Sequence, residues 1–236
     1  MLEFFRLRCM LMEVWALFGR VILFLFLVFS MNGQAFDEGF HKKVQSWQNS
    51  SLTSVSVYGE RFGGFVAPAL AIFPYALFSL HFPREENKAE YSQKISVWRD
   101  SARALFASTL LVWSGKTIIG RARPYLQEGA WSFEPFAFND SGRNAFPSGH
   151  TSSAFAIAHV LSSHAKHWGV SVFLYGSASL TAFSRVYDSK HWLSDVLVGG
   201  ALGYLAAEWS LTRGRDSLSA FEFYVLPDRV AMQWNF

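Results

Sequence analysis

Residues 63–80 (GGFVAPALAIFPYALFSL) run for 18 positions without a charge, and that stretch narrows what the chain can become. An apolar run of about 18 residues is the length at which a membrane-spanning helix becomes plausible. Shorter apolar segments follow, separated by polar breaks, at residues 104–115, 151–161, 168–183 and 196–209. An earlier run at residues 21–29 (VILFLFLVF) brings the helix-like segments to six. The expected fold is therefore all-α, a bundle of about six helices, read as transmembrane. A soluble all-helical domain with the same segments as core helices is the alternative, because several fall short of the roughly 20 residues a span prefers.

Charge placement separates the two readings. With six crossings and the N-terminus inside, residues 1–20, 81–103, 165–168 and 212–236 form the inner side and carry 12 of the 21 Lys and Arg. That excess follows the positive-inside tendency. Composition does not decide the matter. A mean hydropathy of +0.16 is high for a soluble enzyme and low for a multi-span transporter. The net charge of +3 is spread along the chain without a polybasic run, so nucleic acid is not expected as a partner. The single cysteine, Cys9, forms no internal disulfide, and no Cys/His spacing suggests zinc.

The chain divides into three parts. Residues 1–35 are a secretory signal peptide or a first transmembrane helix: Arg6, Arg8 and Arg20 precede the apolar run, and Gly33 and Ala35 follow it at a small-x-small site. Residues 36–212 are the helical-bundle domain. Residues 213–236 are a tail, whose alternation from 221 onward, split by Pro227, reads as a short extended hairpin. Gly199 and Gly203 form a small-xxx-small pair suited to close helix packing.

Three segments carry chemistry. In KTIIGRARP, Lys116 and Arg123 are seven residues apart, two turns if the helix is continuous, although Gly120 and Pro124 interrupt it. In PSGH, Pro147 ends a loop, Ser148 suits an N-cap, and Gly149 lets backbone approach a ligand. His150 then stands in the first turn, beside any anion held by the helix N-terminus. In SRVYDSKHWLSD, His191 and Asp195 are at i and i+4, so on a helix the carboxylate can accept one imidazole proton and leave the other nitrogen free to attack. Taken one at a time, a basic flank, a helix start and a surface His/Asp pair are the plain alternatives. Together, three cations with a nucleophile and a proton donor suit a phosphate ester handled without a metal.

Read in order, Lys-x6-Arg-Pro, Pro-Ser-Gly-His and Ser-Arg-x5-His-x3-Asp resemble the three-part signature of the type 2 phosphatidic acid phosphatase/haloperoxidase superfamily, in its membrane-associated lipid phosphatase branch. The resemblance implies His191 as the nucleophile, Asp195 as its orienting partner, and His150 as general acid and then base. It implies Lys116, Arg123 and Arg185 as the phosphate clamp, aided by Ser148, the Gly149 amide and Ser184. No cofactor or metal is implied. The expected activity is hydrolysis of a lipid phosphate monoester or diphosphate at the face of a cell inner membrane that looks to the periplasm or exterior, with lipid phosphate and membrane as partners. Alternatives are a secreted or periplasmic acid phosphatase on soluble esters and, remotely, a vanadium haloperoxidase. Between Arg185 and His191 the chain reads VYDSK where a small Gly-containing turn is common. Asp188 and Lys190 are read there as solvated, and the aromatic loop 125–138 as either a lipid seat or bundle packing.

Overall fold

The computed structural model describes residues 33–69, 88–138, 140–215, 221–225 and 230–234. Six helices of at least three turns are found among them. They are α1 (Gly33–Gln45), α2 (Ser50–Arg61), α3 (Lys88–Ile119), α4 (Gly149–Ala165), α5 (Trp168–Tyr187) and α6 (Leu193–Arg215). A π-helical segment, Phe62–Val66, extends α2, and residues 67–69 continue as helix. The apolar run 21–29 and the greater part of the 63–80 segment lie outside the described residues.

Helix ends follow local chemistry. Asn49 caps α2, its side-chain oxygen accepting from the Leu52 N–H at 2.9 Å. At the end of α4, Lys166 turns into the left-handed region (φ 50°), and His167 caps α5 through the Gly169 N–H. A connection that short makes α4 and α5 antiparallel neighbours. The chain then runs α3, α4, α5, α6 with alternating direction. The C-terminal ends of α3 and α5 and the N-terminal ends of α4 and α6 therefore meet at one end of the bundle.

Helix α4 is central, packed by α3, α5 and α6, while α2 lies on α5. The core is built from small side chains. Ala104, Ala156, Val160, Ala207 and Leu211 join α3, α4 and α6, and Ala154, Ile157, Ala158, Leu174 and Ala178 join α4 to α5 with Phe62. Gly199 and Gly203 bring α6 directly onto α4, as their spacing predicts. A Cβ at Gly203 would stand 2.1 Å from the Ser152 carbonyl oxygen, and one at Gly199 2.4 Å from that of Ser148. Helices α5 and α6 touch little, leaving an apolar groove of about 510 Å³ floored by Phe155. Helix α1 crosses the site end of α5 and α6.

Three expectations need amending. First, α1 and α2 fall between the apolar runs 21–29 and 63–80, outside the six segments expected to be helical. Second, the bundle is all-α but the tail is not: β1 (Phe221–Val225) pairs antiparallel with β2 (Val230–Trp234), the hairpin its alternation predicts. Third, no helix among the described residues is long and apolar enough to cross a membrane. The physical reason is visible in α3, whose first half carries Lys88, Lys94, Arg99, Asp100 and Arg103, and in α5, where serines and glycines dilute the apolar run.

Candidate active site

The three motifs converge where the four helix ends meet. Helix α3 stops at Ile119 because Gly120 takes φ +57°. Lys116 and Arg123 therefore do not share a helix, and the two-turn spacing is not what unites them. Lys116, in the last turn of α3, donates from Nζ to the Asn144 carbonyl. Arg123 is extended, tied by its N–H to the Gly142 carbonyl at 2.9 Å, just before a short 3-10 turn at Pro124–Leu126. The loop between folds back on α3: Ala122 N–H bonds Ser132 O, and Phe136 N–H bonds Thr117 O.

Ser148 occupies the N-cap position of α4 as expected, but its hydroxyl does not cap. It pairs with Thr151 Oγ1 at 3.0 Å, while its N–H donates to the Asp195 carbonyl at 3.0 Å. Gly149 and His150 open the helix, where the first N–H groups have no intrahelical acceptor. The His150 ring lies against the chain at Gly64, where a Cβ would stand 2.7 Å from Nε2. The charges of Arg185, Lys116 and Arg123 all bear on His150.

Arg185 is buried in the last turn of α5. Its guanidinium is held by Glu60 at 3.1 Å and by Asp188 at 2.9 Å. Asp188 also accepts from Ser56 Oγ at 2.7 Å, so it is a structural partner of Arg185 rather than a solvated charge. Lys190 stays at the surface, its Nζ 5.1 Å from the Tyr125 ring centre. Ser184 is buried, and its hydroxyl donates to the Thr181 carbonyl at 2.8 Å, inside its own helix.

His191 precedes α6 rather than riding on it. Its Nδ1 bonds the Ala145 carbonyl oxygen at 2.5 Å, and Asp195 Oδ2 stands 3.7 Å away. The i,i+4 bond expected on a helix is not formed because α6 begins at Leu193, and Asp195 Oδ2 instead accepts the Trp192 N–H at 2.8 Å. A carbonyl can only accept, so Nδ1 carries the proton and Nε2 keeps its lone pair. Burial is the largest influence on the His191 imidazole, pulling it down to about 4. Lys116 and Arg123 push the same way, and Asp195 opposes them. Burial likewise lowers Arg123, with Arg185 adding to the effect.

Sequence reasoning passed over Arg121, which lies inside the first motif. It is fully buried and reaches Asp195 at 2.5 Å and Asp37, from α1, at 2.7 Å. The Ala145 carbonyl and Glu60 were equally invisible. Among the described residues, the Nε atoms of Arg123 and Arg185 are buried without a hydrogen-bond partner. Buried donors of this kind are costly unless a ligand answers them. The two guanidinium N–H groups are therefore donors that an oxyanion would answer.

Comparison with known proteins points the same way. The model of the PAP2 superfamily matches residues 100–217. The lipid A 1-phosphatase of Porphyromonas gingivalis is 41% identical over 83 residues, 34% of this chain; the matched part spans only 18% of that protein's length. Among solved structures, LpxE of Aquifex aeolicus superposes with a TM-score of 0.54 at 23% identity, covering 77% of this chain and 98% of its own. A transmembrane PAP2-type phosphatidylglycerolphosphate phosphatase from Bacillus subtilis superposes with a TM-score of 0.56 at 20% identity, covering 85% and 95%. At these identities the two structures share the fold.

Proposed function

The chain belongs to the PAP2 superfamily, and from that membership we propose a phosphatase that hydrolyses a phosphate monoester or diphosphate of a membrane lipid through a phosphohistidine on His191. The observation that carries this reading is the one just described: a buried imidazole with Nδ1 fixed, together with two buried guanidinium Nε–H groups without partners.

In this mechanism Lys116, Arg123, Arg185 and the Gly149 amide hold the phosphoryl oxygens, with Ser148 beside them. Phosphoryl transfer asks mainly for positioning and charge neutralisation, which three cations supply. The Nε2 lone pair of His191 forms the N–P bond as the bond to the leaving oxygen breaks, and His150 protonates that oxygen. His150 then takes a proton from water, whose oxygen attacks phosphorus and releases phosphate from His191. The Ala145 carbonyl and Asp195 stabilise the charge that His191 gains.

The outer surface supports a membrane setting. Phe136, Phe138, Trp131 and Phe133 are exposed around the site end, and Trp168 and Trp209 are exposed toward the other end of α5 and α6. Helix α5, with 20 residues, is about 30 Å long, matching a bilayer core between two aromatic belts. Phe106, Trp113, Val172 and Phe173 are exposed between them. We read the bundle as multi-pass in a cell inner membrane with the site facing outward, residues 1–35 as a signal peptide or first span, and 213–236 as a tail. That no described helix passes as a span by itself favours testing the soluble-ester alternative directly.

The test is phosphate release by the purified chain in EDTA, from phosphatidate, phosphatidylglycerophosphate, undecaprenyl diphosphate and lipid A phosphates against soluble esters. One lipid should exceed every soluble ester in kcat/KM. Equal turnover of soluble esters, with release of the protein from membranes by alkaline carbonate, would favour the soluble reading. A pH prediction follows from the buried nucleophile. Protonation of Nε2 removes its lone pair, so activity falls as pH falls through the His191 pKa. With that pKa at about 4, the acid limb of kcat/KM should lie near pH 4 after correction for substrate ionisation. A limb near the ordinary histidine value would contradict the assigned burial.

A further inference from the structure

We propose that α1 belongs to the catalytic apparatus, with Asp37 acting through Arg121 as a positioning residue that fixes Asp195 behind His191 and keeps the buried charge cluster net negative. The inference rests on the phosphatase reading only for its rate consequences. Helix α1 precedes the segment that the family model matches, residues 100–217.

The geometry is a buried network. Arg121 Nη2 donates to Asp37 Oδ2 at 2.7 Å, and Nη1 donates to Asp195 Oδ1 at 2.5 Å and to Ser194 Oγ at 2.6 Å. Its Nε donates to the Ala130 carbonyl at 2.8 Å. Asp37 Oδ1 accepts the Ser194 N–H at 2.8 Å, and Oδ2 accepts the Ser194 hydroxyl at 2.5 Å. All three charged side chains are buried, with Asp37 the most exposed at 2%.

The same helix grips the loops on both sides. His41 Nε2 bonds Ser189 Oγ at 3.0 Å, and its ring meets the Trp192 edge at 5.4 Å. Gln45 bonds the Val186 and Tyr187 carbonyls, and Glu38 accepts the Ala130 N–H at 3.1 Å. Asp37, His41 and Gln45 recur every four residues, so one stripe of α1 holds the segment that carries His191.

Bracing alone does not require a second buried carboxylate. Arg121 paired with Asp195 alone would sum to zero and leave the Ala145 carbonyl dipole as the main partner of the positive charge that His191 gains on attack. Asp37 makes the cluster one charge negative. The ionisable groups with the strongest direct influence on His191 are Asp195 from α6, Lys116 from α3 and Arg123 from the loop; Asp37 reaches it through Arg121 and Asp195. The two cations disfavour a charged imidazole, so the surplus carboxylate has a specific use. Outer partners that orient the ligands of a metal commonly change activity about 10- to 100-fold when removed, and Asp37 stands in a similar outer position behind Asp195.

The experiment compares Asp37→Asn, Asp37→Glu and Ser194→Ala in the full chain by two readouts. The first is the titration of His191 by histidine-selective NMR, which needs no substrate. Asp37→Asn should lower the His191 pKa, since one negative charge is gone, while Ser194→Ala, which keeps every charge, should leave it in place. The second is phosphate release: Asp37→Asn should lose kcat by about 10- to 100-fold with KM changed less than about threefold. Asp37→Glu should recover part of that loss. An Asp37→Asn protein with unmoved His191 titration and wild-type kcat overturns the proposal. So does equal loss in Asp37→Asn and Asp37→Glu without a shift in titration, which marks simple bracing. Should Asp37→Asn not fold, Asp37→Ser takes its place under the same two outcomes, and a shift in the charge-preserving Ser194→Ala opposes the charge account. An inactive wild type with the expected NMR shift refutes the phosphatase reading and leaves this one standing.

Discussion

Replacing His191 with Gln should lower kcat for phosphate release by about 10⁴-fold or more. The side-chain amide keeps a donor for the Ala145 carbonyl, which His191 meets at 2.5 Å in the native chain, so the local fold has a partner for that oxygen. What the amide lacks is a basic nitrogen lone pair on the phosphate side. Clamp residues remain, since Lys116, Arg123 and Arg185 are anchored by Asn144, by the Gly142 carbonyl, and by Glu60 and Asp188 respectively. Substrate affinity should therefore change far less than turnover, the signature of an interaction made in the transition state. Turnover within tenfold of wild type, with the fold intact by thermal denaturation, would remove His191 from the mechanism.

Replacing His150 with Ala should divide the substrates. A lipid alcohol is a poor leaving group and needs its proton, so its turnover should fall by about 10²- to 10⁴-fold. p-Nitrophenolate leaves without help, so the first step with p-nitrophenyl phosphate should stay close to wild type. The second step still lacks its base. The variant should then release a burst of about one p-nitrophenolate per site and stall as phosphoenzyme. The ring lies against Gly64, and its removal opens space rather than forcing a clash. Equal losses on both substrates, without a burst, would deny His150 the proton-transfer role.

How much of this was legible in the sequence differs by feature. Helices α4, α5 and α6 follow continuous apolar segments, and Gly199 and Gly203 announce the contact they make with α4. Helix α3 was read only in its apolar half, because its charged first half carries no such run. The signature residues come together as expected, although two details depend on where helices begin. Asp195 serves the Trp192 N–H because α6 starts at Leu193, and Ser184 turns inward to Thr181. Asp37 was beyond sequence reasoning. It meets Ser194, 157 positions away, from a short polar helix with no motif of its own. Arg121 carried one signal, an arginine next to a glycine turn in a motif already rich in cations, but only the fold reveals that two carboxylates flank it.

The most direct measurement is to trap the intermediate. A radiolabelled phosphate donor is mixed with the purified His150→Ala chain, quenched in alkali, and the labelled peptide sequenced. Acid-labile label is expected on His191, close to one per site, and none in a His150→Ala, His191→Gln double variant. Phosphate released without any label on the chain, or label on a residue other than His191, would contradict it.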